Sequence, residues 1–332
     1  MASVGFFILQ NVDEREKKCY NKRMKRIFKA TILTLCLGFL GASVLPACSF
    51  VPPLPPVNSS TQSESSSLES SAAESGSVGE SSEGSSEESS ITSAESSMDS
   101  SVQEAERLLD GVKYTLSQDG TQYTVTGYEG EQTSLSIESE IDGLPVTAIG
   151  ERAFYKCKSL TEVTIANSIT DVEGYAFAYC ESLTAIVIPD NVTMIGEYAF
   201  AYCHRLQSVV IGDGVTELVD WSFYYCHALT SVIIGDNVSK IGVGVFHECF
   251  NLADVVLGIG LQSVGGGAFG MCTSLKNVYY AGSSREWREV DTGANIELTS
   301  AKRYYYVENE ADVPTDGGGY WHYDENGEIA VW

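Results

Sequence analysis

A spacing of 23 residues recurs without interruption through the middle of the chain. Three residue types mark it, and each holds one position in six successive units. The marker residues are Phe154, Phe177, Phe200, Phe223, Phe246 and Phe269; Cys157, Cys180, Cys203, Cys226, Cys249 and Cys272; and Leu160, Leu183, Leu206, Leu229, Leu252 and Leu275. A fixed period of this length is typical of a solenoid, because one unit cannot bury its own apolar face and must stack on its neighbours.

Each unit contains the alternation of a β-strand. In one unit, Val209 and Ile211 fall on one face and Val210 on the other, which is the period of a strand. Equivalent strands from successive units are expected to lie parallel, about 4.8 Å apart. A second extended run at 192–195 is expected to cross the opposite side of the coil, and residues 198–203 to form the tight corner that leads back.

The full pattern is Leu-x-x-Val-x-Ile-x-x-x-x-Val-x-x-Ile-Gly-x-x-Ala-Phe-x-x-Cys. It resembles the BspA-type leucine-rich repeat of bacterial surface proteins, over residues 132–280, with minor departures such as Glu173 and Val219 at the glycine position. The resemblance implies a mainly β, right-handed leucine-rich-repeat solenoid with 23-residue coils. It also implies an extracellular or surface-exposed protein, and several family members are adhesins that bind host matrix proteins.

The chain before the repeats has the features of an export signal. Basic residues follow Met24, an apolar stretch runs from Ala30 to Val44, and Leu45-Pro-Ala-Cys48 comes next. A basic start, a short apolar run and a small residue before the cleavage site indicate a secretory signal peptide. The last four residues resemble a bacterial lipobox, which implies lipid attachment to Cys48; the alternative is an ordinary signal peptide with an incidental cysteine. Translation is expected to begin at Met24.

A serine-rich segment separates this signal from the repeats. Between Ser59 and Ser101, 21 of 43 residues are serine and 9 are acidic. Such a segment cannot bury enough apolar surface to offset its ordering entropy, so we expect a disordered tether with a mean reach of about 40 Å. The predicted organisation is an upstream extension with a lipoprotein signal peptide (1–47), tether (48–104), N-terminal cap and degenerate first repeat (105–146), leucine-rich-repeat solenoid (147–280) and C-terminal cap (281–332).

Both caps carry recognisable local signals. A hairpin is predicted around Gln118-Asp-Gly120, and a second one at Asn326-Gly327, because these turn residues favour tight connections between strands. Ser283 and Glu286 have the spacing of a capping box and predict a short helix that carries Trp287.

Charge and motif content exclude several functions. Residues 49–332 contain 12 basic and 42 acidic residues, so the chain repels phosphate backbones and anionic lipid head groups. Nucleic-acid binding is not expected, and membrane contact is expected only through the lipid. No nucleophile, zinc-binding or phosphate-cradling motif is present. We therefore expect neither an enzyme nor a cofactor.

Three columns of potentially reactive side chains have structural interpretations. Stacked side chains point the same way, and their spacing is slightly too long for a relaxed bridge, so the six repeat cysteines are predicted to be buried free thiols. His204 and His227 lie in a variable column and provide too few ligands for a metal site. Turn formation accounts for a stack of aspartates that could otherwise bind calcium. That stack comprises Asp190, Asp213 and Asp236.

The candidate binding surface has two parts. One is an exposed apolar stripe on the outward face of the sheet, formed by Thr164, Val187, Val210, Ile233, Val256 and Tyr279. The other is a pair of aromatic columns near the corner, formed by Tyr175, Tyr198 and Trp221 and by Tyr179, Tyr202 and Tyr225. Contiguous apolar patches and polar-tipped aromatics are frequent at interfaces, although strand propensity and the paving of a corner would also explain them.

The sequence therefore predicts a lipid-anchored protein of the bacterial cell surface. Its expected activity is adhesion to, or capture of, a protein ligand, with host matrix proteins among the candidates. The alternative is a lipoprotein that captures a glycan or other substrate for a separate enzyme.

Overall fold

The computed structural model describes residues 106–332, which form a β-solenoid of about eight turns built from 23-residue coils. The predictions of a signal peptide, of lipid attachment at Cys48 and of a tether concern residues outside this range. The predicted mainly β leucine-rich-repeat fold is confirmed.

One long sheet runs the length of the solenoid and holds ten strands. Its strands are β4 (Ser134–Ser136), β7 (Glu162–Thr164), β9 (Ala185–Ile188), β11 (Ser208–Ile211), β13 (Ser231–Ile234), β15 (Asp254–Leu257), β17 (Asn277–Tyr280), β18 (Lys302–Tyr306), β19 (Gly319–Tyr323) and β20 (Ile329–Val331). Val209 pairs with Val232 and with Ile186, so the parallel register equals one repeat. Alternate residues face inward, and the core is a set of aliphatic columns.

Short strands line the opposite side of the coils, where the sequence predicts the second extended run. They are β6 (Leu144–Ile149), β8 (Asp171–Val172), β10 (Met194–Ile195), β12 (Glu217–Leu218), β14 (Lys240–Ile241) and β16 (Ser263–Val264). At the N-terminal end, the sheet continues from β6 through three further strands, β3 (Tyr123–Tyr128), β2 (Val112–Leu116) and β1 (Glu106–Leu109). A short strand, β5 (Glu140–Ile141), also pairs with β6. The antiparallel pairing of β2 with β3 confirms the predicted hairpin.

The corner of each coil is held by a stacked column of phenylalanines. Successive rings from Phe154 to Phe269 lie 4.8 to 5.5 Å apart between centroids, with no exposed surface. Beside them, the Cys203 thiol donates a hydrogen bond to the carbonyl oxygen of Phe177 at 3.2 Å. The six repeat cysteines are free thiols, as predicted. Five of them are buried, whereas Cys157 is only partly buried. The five thiols from Cys180 to Cys272 fill space, and each also donates a hydrogen bond to a phenylalanine carbonyl oxygen in the preceding coil.

The C-terminal segment extends the long sheet beyond the last repeat. The capping box of Ser283 and Glu286 is formed and begins helix α1 (Ser284–Trp287), as predicted. A second helix, α2 (Ile296–Ser300), and a 3₁₀ turn (Glu310–Asp312) were not predicted. Among residues 106–332, no helix has both the length and the apolar character needed to cross a membrane.

Candidate ligand-binding surfaces

The apolar stripe on the outward sheet face is less exposed than the sequence predicts. Val210, Val256 and Tyr279 retain only 8 %, 5 % and 8 % of their accessible surface, while Val187 and Ile233 are half-buried. Val210 is covered from both sides because its register partners in the sheet are Val187 and Ile233. The expectation of an exposed stripe is therefore wrong for three of its residues.

The C-terminal segment covers the far end of this stripe. Tyr279 stacks on Tyr304 at 5.0 Å and meets Trp321 edge-on at 5.8 Å. Trp321 is fully buried, and its Nε1–H donates a hydrogen bond to the carbonyl oxygen of Tyr280 at 3.0 Å. These rings form an apolar cluster with Val256. The stripe is consequently a packing surface for the chain itself at this end.

The first aromatic column is stacked as the sequence predicts. The ring centroids of Tyr175 and Tyr198 are 5.1 Å apart, and those of Tyr198 and Trp221 are 6.4 Å apart, with nearly parallel planes. All three residues have a left-handed backbone with φ between 56° and 60°. The guanidinium of Arg152 lies 5.1 Å from the ring centroid of Tyr175, in cation–π geometry, and closes the column at its N-terminal end.

The second column is stacked only in part. The rings of Tyr179 and Tyr202 lie 4.5 Å apart and 2° from parallel, whereas Tyr225 is tilted by 49° against Tyr202. Tyr202 is buried, and the other two are half-buried. In the stacked part, each ring face lies against its neighbour, so the surface that remains consists of ring edges and hydroxyl groups.

Further aromatic residues join the two columns into one surface, which we call the aromatic corner. Tyr224 bridges them, because it contacts Trp221 at 5.5 Å and Tyr202 at 5.3 Å. The members of the aromatic corner are Tyr175, Tyr179, Tyr198, Tyr202, His204, Trp221, Tyr224, Tyr225, His227, His247 and Phe250. Tyr224, His247 and Phe250 were missed because their two columns are only partly aromatic: the first also holds Ala178, Ala201 and Gly270, and the second also holds Lys158, Glu181 and Thr273.

The tyrosine hydroxyls of the aromatic corner are kept protonated. Burial, with a smaller contribution from neighbouring carboxylates, raises the pKa of Tyr198 and of Tyr224 to about 12. The hydroxyl of Tyr224 donates a hydrogen bond to Glu248 Oε1 at 3.1 Å. At neutral pH these groups therefore act as uncharged hydrogen-bond donors.

Two histidines lie at the edge of the aromatic corner. The rings of His204 and His227 stack at 5.1 Å, and His204 Nδ1 and His227 Nε2 are buried without a hydrogen-bond partner. Burial lowers the pKa of both, that of His227 to about 4 with a further contribution from His204. Within residues 106–332, no group of three or more histidine, cysteine, aspartate or glutamate side chains has the arrangement of a metal site.

The aspartate column bonds to the backbone of the next coil. Asp190 Oδ1 accepts from the N–H of Asp213 at 3.2 Å, and Asp213 Oδ1 accepts from the N–H of Asp236 at 2.9 Å. Asp236 Oδ1 accepts from the N–H of Ile259 at 3.3 Å. These side chains therefore stabilise the turns that leave the long sheet.

Comparisons with known proteins agree with this architecture. Residues 131–238 and 170–289 match the BspA type leucine rich repeat region, in six copies. No curated protein matches the sequence.

Three solved structures are similar in part. The T. pallidum leucine-rich repeat protein is 26% identical, with 60% of this chain and 86% of that chain covered and a TM-score of 0.39. A leucine-rich repeat protein from Bacteroides ovatus is 18% identical (60% and 70% covered, TM-score 0.35). One from Bacteroides capillosus is 22% identical (54% and 100% covered, TM-score 0.31). With six family repeats over residues 131–289 and the corresponding 23-residue coils in the structure, the chain belongs to the BspA-type leucine-rich repeat family.

Proposed function

We propose that this protein is a non-enzymatic ligand-binding module displayed on the bacterial cell surface, and that it adheres to a protein partner through the aromatic corner. The family suggests surface binding or adhesion in general terms. The observation that carries the assignment is the aromatic corner itself, a network of eleven contacting rings in a strongly acidic chain. Tyr175, Tyr198 and Tyr202 are buried within it, and the other eight rings reach the surface.

The composition of this surface supports a protein partner. Tyrosine and tryptophan are enriched among the residues that dominate binding energy at protein interfaces, because they bury a large apolar area and retain a polar tip. Here Tyr224, Tyr225 and Phe250 are half-buried, so apolar surface remains available to a ligand. The tyrosine hydroxyls beside it are neutral and add polar tips to this surface, although that of Tyr224 already donates its proton to Glu248.

The stacking of the columns disfavours a glycan ligand. A sugar ring packs on the open face of an aromatic side chain, but the parallel faces of Tyr179 and Tyr202 lie against each other. Ring edges and hydroxyls suit the irregular surface of a protein better than the flat face of a sugar.

The test replaces surface aromatics by residues that the same columns already hold in other coils. Tyr225 becomes lysine, as in Lys156, which has the same left-handed backbone, and Phe250 becomes threonine, as in Thr273. We expect the wild-type chain to bind at least one member of a panel of immobilised host matrix proteins. The Tyr225→Lys, Phe250→Thr variant should bind about tenfold more weakly or worse, since it loses two central anchors.

The control is Met194→Lys, which removes an exposed apolar side chain from β10, on the side of the coil opposite the long sheet. The same column position holds Lys240 in another coil. This variant should bind as the wild type does. Equal binding by the aromatic variant, or binding only to a glycan array, would contradict the proposal.

Export and a lipid anchor complete the proposed function. The signal segment and Cys48 support an exported chain that is attached to the membrane by lipid, and the serine-rich segment would then hold the solenoid away from the membrane. Lipid attachment is tested separately below.

A further inference from the structure

A small cleft opens at the opposite end of the strands from the aromatic corner, where β13 and β15 pass into their turns. Trp321 and Tyr323 from β19 overhang it, and Ile233 and Val256 form its apolar wall. Asp213 and Asp236 lie at its rim. The cleft thus combines aromatic rings, aliphatic surface and two carboxylates within one small space.

Backbone bonding fixes both carboxylates in place. The N–H of Asp236 donates to Asp213 Oδ1, and the N–H of Ile259 donates to Asp236 Oδ1. The charge of Asp236 also reaches the overhanging tyrosine, because burial and then this carboxylate raise the pKa of Tyr323. Two carboxylates therefore line a site whose lining residues include no lysine or arginine.

The size of the cleft restricts its ligand. Its interior admits a group about the size of a water molecule, which fits an ammonium group, whereas the planar guanidinium is larger. A lysine side chain has an aliphatic stem that packs on apolar walls and a charged tip that seeks carboxylates and aromatic rings. The same aromatic cluster already holds such a group, since Lys302 Nζ lies 4.6 Å from the ring centroid of Tyr304.

We propose that this cleft, bounded by Asp213, Asp236, Trp321 and Tyr323, is a binding site for the ammonium group of a lysine side chain from a polypeptide partner. The site is separate from the aromatic corner and does not depend on it. The acidic chain, with 32 acidic and 12 basic residues in 106–332, favours the approach of a basic partner to this site.

The test titrates the full chain with a short peptide that contains one lysine, while the indole N–H resonance of Trp321 is followed by NMR and assigned by Trp321→Phe. Matched peptides carry arginine or Nε-acetyl-lysine at the same position, and n-butylammonium serves as a free amine. The lysine peptide should shift the Trp321 resonance in a saturable way. The acetylated peptide should not, because it lacks the charge.

Two aspartate variants make the result specific to the cleft. Asp213→Asn retains Oδ1 as acceptor for the N–H of Asp236 but removes the charge, so affinity for the lysine peptide should fall about tenfold. Asp190→Asn makes the same change one coil earlier in the same ladder, outside the cleft, and should leave affinity within about twofold of the wild type.

Several outcomes would overturn the assignment. One is the absence of any saturable shift with the lysine peptide. Another is equal binding of the acetylated or arginine peptide, which would remove the need for an ammonium group. A third is equal weakening by both aspartate variants, which would indicate a general effect of charge. Tighter binding of n-butylammonium than of the peptide would assign the cleft to free amines instead of a polypeptide.

Discussion

At the scale of single residues, the backbone of each corner is the unusual feature. Two positions per coil adopt a left-handed conformation, and in the first of these the solenoid uses Arg152, Tyr175, Tyr198, Trp221, Gly244 and Gly267. Residues other than glycine adopt this conformation at a cost of about 1–2 kcal/mol. At Gly244 an added Cβ would come within 2.1 Å of Trp221 Cζ3, so glycine leaves room for the neighbouring ring, whereas the aromatic residues offset the cost by stacking.

This cost predicts the effect of a glycine at an exposed left-handed position without a stacking partner. Met271 has φ 62° and is 50% exposed. Met271→Gly should raise the free energy of unfolding by about 0.5 kcal/mol, because relief of the backbone outweighs the added entropy of the unfolded chain. Denaturant unfolding measures the change.

The matched control is the other exposed methionine. Met194 is 40% exposed and lies in strand β10, where glycine weakens the strand. Met194→Gly should lower the free energy of unfolding by about 1 kcal/mol. The strain interpretation is rejected if Met271→Gly destabilises the protein as much as Met194→Gly.

At the scale of one coil, local pattern was sufficient to predict the elements. The alternation around Val210 predicted β11, the second run predicted β10, and the Phe-x-x-Cys spacing marked the corner. Hydroxyl ladders between coils were not foreseen. Thr184 Oγ1 donates to the carbonyl oxygen of Thr161, and Thr230 Oγ1 to that of Gln207. A threonine before a strand suits many surface roles, so its spacing alone does not identify this bond.

Stacked histidines in neighbouring coils predict a dependence of stability on pH. The pKa of both His204 and His227 is lower in the folded protein than the ordinary value of 6.5, that of His227 reaching about 4. The unfolded chain therefore binds protons more readily, and stability should fall as the pH drops from about 6.5 towards 4. Glu181 and Lys158 act on His204 in opposite directions, and burial exceeds both.

The measurement compares urea-unfolding midpoints at pH 7.5 and pH 5. The variant His204→Thr, His227→Phe uses residues found in the same column, Thr273 and Phe250. Between pH 7.5 and pH 5 the variant should lose less stability than the wild type. Because both proteins contain the same carboxylates, the difference between their losses reports the contribution of the two histidines. An identical loss in both proteins would exclude this role.

At the scale of the whole molecule, the sequence predicted the hairpin of β19 and β20 in the C-terminal cap but not where it packs. The register between Tyr279 and Tyr304, and then between Tyr304 and Gly319, departs from 23 residues, so periodicity gives no information on pairing. For this reason the burial of Tyr279 and Val256 under Trp321 could not be read from the repeat. The aromatic columns were predictable because they remain in phase, whereas the cleft depends on long-range packing.

Attachment of the molecule to the membrane is tested at Cys48. Wild-type protein should incorporate labelled palmitate and sediment with membranes, because the lipobox-like sequence implies lipid transfer to this thiol. Cys48→Ser should abolish the label and release the chain. Cys36→Ser, a second cysteine within the apolar signal segment, is the control and should be labelled normally; a label that persists in Cys48→Ser would contradict lipid attachment there.

From Cys180 to Cys272, each repeat thiol donates a hydrogen bond to a phenylalanine carbonyl oxygen in the coil before it, as Cys203 does to Phe177 and Cys226 to Phe200. A duplicated or deleted stretch of 23 codons would therefore preserve every bond of this kind between the coils that remain. Recombination within the gene can change the length of the molecule in steps of about 4.8 Å while both ends stay the same. The gene thus has a simple route to a longer or shorter solenoid surface.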